Sequence, residues 1–144
     1  MAKRSAAKTN NKMLLKEKKT ILIVDDDVDY LFQMKTVLHG MGYEVISAYS
    51  RKETEAIINQ KKPDIVLLDL MMESHDTGFV LCYLIKNRYP DVPIIITSAV
   101  TAETGMMFDL NNQHDREWIK ADAFLDKGVP HDQLQKEIEK LLRD

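Results

Sequence analysis

Three short runs in which every residue is apolar, 21–24, 65–68 and 94–96, set the frame of this sequence. An unbroken run of this length is the pattern of a strand buried on both faces of a parallel sheet. Between the runs the spacing changes from every residue to every third or fourth. Leu31, Met34, Leu38 and Met41 repeat at helical intervals, and Gly40 and Gly42 stop that helix. Residues 43–49 read as a weaker strand and Arg51–Gln60 as a polar helix. Pro63 breaks the chain before the second buried strand, and a helix over Thr77–Arg88 is closed by Pro90. Pro93 introduces Ile94-Ile95-Ile96-Thr97, Ala123-Phe124-Leu125 forms a last short strand, and Leu134, Ile138, Leu141 and Leu142 mark a final amphipathic helix.

Strands alternating with helices predict an α/β domain with a parallel sheet, and right-handed crossovers put helices on both faces. Ligands of such sheets bind beyond the carboxyl ends of the strands, near the switch in strand order. The residues at those ends are chemically coherent. The first strand ends in Asp25-Asp26-Asp27, the third in Asp69, the fourth in Ser98, and the fifth leads to Lys127. One Asp after a strand is ordinarily a helix N-cap. An acidic pair, a further carboxylate, a hydroxyl and a lysine on four strand ends are harder to explain as caps.

Charge and composition narrow the classes. The 144 residues are 44% hydrophobic and 30% charged, the balance of one ordinary globular domain. Residues 1–19 hold Lys3, Arg4, Lys8, Lys12, Lys16, Lys18 and Lys19 against Glu17 alone, a formal +6, so with −3 overall residues 20–144 carry −9. An acidic body argues against nucleic acid as the main partner. The basic tail reads as a disordered leader outside the fold, although its charge could touch nucleic acid or another acidic surface. No run approaches the ~20 apolar residues of a membrane span, and the tail's Met13, Leu14 and Leu15 are too few for a signal peptide. The single Cys82 lies in an apolar run and reads as a buried small hydrophobe of a protein in a reducing, cytoplasmic setting.

If Asp25, Asp26 and Asp69 converge, each pair of charges ~4 Å apart repels by about 4 kcal/mol at an effective dielectric near 20. Three carboxylates then need a cation, or one must stay protonated. Lys127 supplies one positive charge, and a hard divalent ion with oxygen ligands, Mg²⁺ above all, can supply the rest. Such a constellation suits phosphoryl chemistry, with a carboxylate nucleophile, cations for the phosphoryl oxygens and a hydroxyl donor. The histidines point elsewhere: His39, His75, His114 and His131 show no metal-ligand spacing.

Four blocks carry a resemblance. Ile21-Leu22-Ile23-Val24-Asp25-Asp26-Asp27, Pro63-Asp64-Ile65-Val66-Leu67-Leu68-Asp69-Leu70-Met71-Met72, Pro93-Ile94-Ile95-Ile96-Thr97-Ser98-Ala99 and Phe124-Leu125-Asp126-Lys127 resemble, in order and spacing, the receiver domain of bacterial two-component response regulators. The resemblance covers about residues 20–143. It implies a flavodoxin-like, doubly wound five-stranded sheet in the order 2-1-3-4-5, as in chemotaxis regulators. It also implies that Asp69 accepts a phosphoryl group from a histidine kinase or phosphotransfer protein. Asp26 would bind Mg²⁺ directly, Asp25 would assist through water, and Asp69 and the backbone carbonyl of Met71 would complete the ligands. Ser98 and Lys127 would contact the phosphoryl group, Phe124 would be the aromatic switch, and Asp27 would cap the first helix. Met71 and Val100 would flank the water that hydrolyses the aspartyl phosphate; both are apolar, which implies slow loss.

The departures are specific. Glu73 stands where the family commonly has proline, and the turn through residues 73–78 is one residue longer. Gly128 follows Lys127 where proline is usual, and Asp126 could compete for the lysine's ammonium. Residues 101–118 lack a helical stripe, so the fourth helix is expected to be shortened or replaced by a loop anchored by Met106, Phe108 and Trp118. Because the chain ends just after the last helix, a single-domain regulator is expected, with no DNA-binding output domain, acting through protein contacts and possible homodimerisation. It is not expected to be an enzyme beyond catalysing its own phosphoryl uptake and slow hydrolysis. Two other classes remain: a phosphatase with an aspartyl-phosphate intermediate, disfavoured because Met71 replaces the second Asp of the haloacid dehalogenase type, and a phosphorylation-independent scaffold.

Overall fold

The computed structural model describes residues 18–72, 77–99 and 120–143. In chain order the elements are β1 (Thr20–Val24), α1 (Val28–Gly40), β2 (Glu44–Ala48), α2 (Arg51–Gln60), β3 (Ile65–Asp69), α3 (Thr77–Arg88), β4 (Ile94–Ser98), β5 (Ala123–Asp126) and α4 (His131–Leu142). The five strands are all parallel and lie in the order β2-β1-β3-β4-β5.

The apolar runs are continuous because successive side chains enter two different cores. Leu22, Val24, Val66, Leu68, Ile94 and Ile96 face one way and pack with Ile58 of α2 and Phe79, Leu81, Cys82 and Ile85 of α3. Ile21, Ile23, Ile65, Leu67 and Ile95 face the other and pack with Leu31, Met34 and Leu38 of α1 and Leu134 and Ile138 of α4. A period of two along each strand thus serves both layers. Cys82 is fully buried, and burial pushes its thiol up to about 12, which makes it an inert core residue.

Local chemistry sets the element ends. Asp27 caps α1 by accepting from the Tyr30 N–H at 3.1 Å, as expected. Ser50 caps α2 by accepting from Glu53 N–H, while Glu53 Oε1 reaches back to Tyr49 N–H at 2.7 Å. Gly42, at φ +101°, supplies the left-handed turn between α1 and β2. Gly78 answers a different need. A methyl group there would overlap the Leu70 carbonyl oxygen and stand 2.7 Å from that of Asp69, so only glycine lets α3 lie this close to the end of β3.

The basic tail through residue 17, the turn at residues 73–76 and the segment 100–119, with its expected irregular helix, Met106, Phe108 and Trp118, lie outside the described residues. Val100, His75 and His114 lie there too.

Candidate functional site

The parallel register aligns the carboxyl ends of four strands. Val24 pairs with Leu68, Leu68 with Ile96, and Ser98 with Asp126. Backbone bonds continue the alignment past the strands: Asp25 N–H to the Ala48 carbonyl, Leu70 N–H to Thr97, and Lys127 N–H to Ser98 at 2.9 Å. Asp25, Asp69, Ser98 and Lys127, widely separated in sequence, therefore line one cleft of about 210 Å³, joined by Asp26 and Met71.

Asp25 is completely buried. Its Oδ1 accepts from Asp27 N–H at 2.9 Å. Its Oδ2 pairs with Lys127 Nζ at 2.6 Å and has no further hydrogen-bond partner among the described residues. Lys127 Nζ also lies 3.5 Å from Asp69 Oδ1. Carboxylate oxygens of Asp25, Asp26 and Asp69 all fall within 4.8 Å of one another. Three carboxyl groups, Asp25 and Asp69 buried and Asp26 exposed, outnumber the one ammonium that pairs with two of them.

The ionisation of these groups reflects that excess. The Asp69 carboxyl is pushed up to about 7, first by burial and then by Asp25, with Asp26 adding; Lys127 and the Met71 N–H oppose the rise. For Lys127, burial works against the charge, but the hydrogen bond its ammonium donates to Asp25 and the charges of Asp69 and Asp25 outweigh it and raise its pKa. The cluster fits a divalent cation on its own terms. It offers oxygen donors only, and its three carboxyl groups outnumber the one ammonium that pairs with two of them.

Two expectations about the lysine are corrected or refined by this geometry. Asp126 does not compete for the ammonium: its Oδ1 accepts from Gly128 N–H at 2.8 Å, tightening the turn after β5. Gly128 in place of proline still leaves Lys127 directed into the cleft. Ser98, the last residue of β4, is half-buried on the cleft wall. Phe124 lies outside the cleft lining; it is half-buried on the α2–α3 side of the sheet, in register with Ile96. Met71 lines the cleft, whereas Met72 is buried in the core.

One neighbour escaped the sequence reading. The ring of Tyr30, in the first turn of α1, has Lys127 Nζ 4.8 Å from its centroid. Nothing in the spacing signals this, because Tyr30 stands one position off the Leu31–Met34–Leu38 stripe and far from Lys127 in the chain.

Comparison with known proteins agrees with this geometry. The family described as response regulator receiver domain matches residues 21–139. The chain is 35% identical over 132 residues to the transcriptional regulatory protein ZraR of Salmonella typhimurium, covering 90% of this chain and 27% of that protein. It is 31% identical over 127 residues to the probable transcriptional regulator ycf27 of Porphyridium aerugineum, covering 88% and 49%. It thus spans between about a quarter and a half of the length of these relatives. Among solved structures, a CheY-like response regulator receiver domain protein from Methanospirillum hungatei aligns with a TM-score of 0.73 at 28% identity, over 88% of this chain and 95% of that one. The response regulator TrrA from Thermotoga maritima, solved in complex with Mg²⁺-BeF, aligns with a TM-score of 0.70 at 26% identity, over 85% and 98%. Sheet order, site and sequence therefore lead to one conclusion: this chain belongs to the response regulator receiver domain family.

Proposed function

We propose that this protein is a phosphorylation-dependent signalling switch in which Asp69 receives a phosphoryl group from a histidine kinase or phosphotransfer protein. The observation that carries the proposal is the buried Asp69 carboxylate at the end of β3, flanked by two acidic side chains and 3.5 Å from the Lys127 ammonium. An Asp69 oxygen forms a bond to phosphorus as the phosphorus–nitrogen bond of the donor phosphohistidine breaks, and the released imidazole nitrogen keeps the electron pair. Lys127 neutralises a phosphoryl oxygen, and the Ser98 hydroxyl donates to another. Asp26, Asp69 and the Met71 backbone carbonyl would hold Mg²⁺ directly, with Asp25 assisting through water. Bound there, Mg²⁺ supplies charge neutralisation for the carboxylates and the transferring phosphoryl group.

The new charge beside Ser98 draws the end of β4 inward, and Phe124, in register with Ile96, changes rotamer to fill the space. The altered surface then meets a protein target in the cytoplasm. Residues 20–144 act as the receiver unit, with the basic segment 1–19 outside it. Among the described residues, no helix is long and apolar enough to cross a membrane.

Incubation with acetyl phosphate and Mg²⁺, read by intact mass, tests the assignment. One phosphoryl group is expected on the wild type and none on Asp69→Asn. Uptake that persists in Asp69→Asn contradicts it. Rapid turnover without a labelled protein would indicate a phosphatase, and no uptake at all a scaffold.

A further inference from the structure

Lys127 must hold its ammonium toward Asp69 from the end of a long, flexible stem, in a turn whose next residue is Gly128. Its shortest contact, 2.6 Å to Asp25 Oδ2, is with a carboxylate that the proposed function also assigns to the cation. A holder that carries charge would either compete for that cation or repel the lysine. The remaining contact has neither defect. Lys127 Nζ lies 4.8 Å from the centroid of the Tyr30 ring, well within the range of a cation–π interaction.

The ring is itself held in place. The Tyr30 N–H donates to Asp27 Oδ1, the N-cap of α1, which fixes the ring's anchor beside the acidic residues that follow β1. Tyr30 is half-buried and packs on the core between the sheet and α1 and α4. Burial, reinforced by the charges of Asp25 and Asp69 and opposed by Lys127, raises its phenol pKa, so the group facing the ammonium is a neutral aromatic ring. The ammonium thus sits among three groups: Asp25, Asp69 and the Tyr30 ring.

We propose that Tyr30 is a positioning residue for Lys127, its ring face retaining the ammonium beside Asp69 when Asp25 turns to the cation. The role rests on the phosphoacceptor reading of Asp69 and adds to it a residue that touches neither phosphoryl group nor metal. Because the ring is uncharged, it steadies the lysine without lowering the site's attraction for a divalent ion. Truncating it to an aliphatic side chain keeps apolar bulk but removes the quadrupole, which leaves the ammonium free to move toward solvent.

The test separates shape from electrostatics. Position 30 is made Phe, then 4-fluoro-, 3,5-difluoro- and trifluorophenylalanine, which weaken the ring's negative face at nearly constant size, and finally Leu. Two readouts are taken on each protein: the ring-current shift of the Lys127 ε-methylene protons without and with Mg²⁺, and the initial rate of phosphoryl uptake from acetyl phosphate. Tyr30→Phe is expected to retain the upfield shift and a rate near wild type. Tyr30→Leu is expected to lose the shift and roughly two- to tenfold of the rate, with the fluorinated rings falling in order between. Equal rates in the Phe, fluorinated and Leu proteins, with uptake intact, overturn the role of Tyr30. So does a Lys127 methylene signal that shows no ring-current shift in the wild type. A wild type that takes up no phosphoryl group, whatever its ring-current shift, overturns instead the reading of Asp69 on which the role depends.

Discussion

The two edges of the same sheet use carboxylates in opposite ways. At the amino edge the described acidic side chains Asp64, Asp122 and Glu44 each have a donor or cation. Asp64 Oδ2 accepts from Thr20 N–H at 2.7 Å, Asp122 Oδ2 accepts from Ile94 N–H at 2.8 Å and pairs with Lys86 at 2.8 Å, and Glu44 pairs with Lys61 at 3.5 Å. Asp64 and Asp122 close backbone N–H donors at strand starts that the ladder leaves open, and Lys86 and Lys61 balance charge locally. At the carboxyl edge Asp25, Asp26 and Asp69 crowd one another, and among the described residues Lys127 pairs with Asp25 and Asp69. One edge is satisfied and structural. The other keeps an electrostatic deficit that a cation and a phosphoryl group can relieve. At the second edge the Asp69 carboxyl, the Lys127 ammonium and the Tyr30 phenol are all raised, and the Lys127 charge acts on the other two.

The largest difference between the edges is expected in the pH dependence of stability without metal. Folding raises the Asp69 carboxyl from its ordinary value to about 7, so the folded state binds this proton more tightly than the unfolded chain. Its contribution is therefore full below about pH 4 and is lost as pH rises through about 7, an effect on the order of 3–4 kcal/mol. Denaturant unfolding in EDTA from pH 4 to pH 8 should show this decline in the wild type, and Asp69→Asn should remove most of it. Saturating Mg²⁺ should flatten it as well. A wild-type profile as flat as that of the Asn variant would place the deficit elsewhere.

A smaller effect is expected where packing, not charge, supports the site. Gly78→Ala forces a methyl group onto the Leu70 carbonyl, and backbone on both sides leaves little room to yield. Its cost should lie toward the upper end of the ~1–3 kcal/mol typical of overpacking, with a slower phosphoryl uptake because the end of β3 must shift. Thermal unfolding and acetyl phosphate labelling measure both; an unchanged midpoint would show that α3 can move away freely.

The smallest effect belongs to the amino edge. Asp122→Ala leaves Ile94 N–H and Lys86 without this partner, although Lys86 Nζ keeps its 2.8 Å bond to the Val92 carbonyl. The loss should be about 1 kcal/mol, with the rate of phosphoryl uptake unchanged. A slowed rate at unchanged stability would mean that the edges are coupled.

Much of the fold was legible because strands buried on both faces leave no polar alternation to misread. The runs at 21–24 and 65–68 lie within β1 and β3, and the helices Arg51–Gln60 and Thr77–Arg88 have the expected limits. The site was legible for a related reason: parallel strands present their carboxyl ends together, so residues after each run must meet. Asp25, Asp26, Asp69, Ser98 and Lys127 do so. What escaped was contact set by side-chain direction. The distance between Tyr30 and Lys127 depends on the pitch of α1 and the turn after β5, neither of which leaves a pattern in the residues. Whether Asp126 competes for the lysine was illegible for the same reason, since this neighbour in sequence is engaged by Gly128 N–H. Asp64 and Asp122 carried a readable signal, an Asp just before a strand, which was overlooked.

That Asp69 receives the phosphoryl group is tested most directly by chemical mapping. Protein labelled with acetyl phosphate and Mg²⁺ is treated with borohydride, which reduces an acyl phosphate to an alcohol and spares free carboxylates, and is then digested and sequenced by mass spectrometry. Homoserine at position 69, present only after labelling, is the expected result. Homoserine at Asp25, Asp26 or another carboxylate, with Asp69 intact, would contradict it.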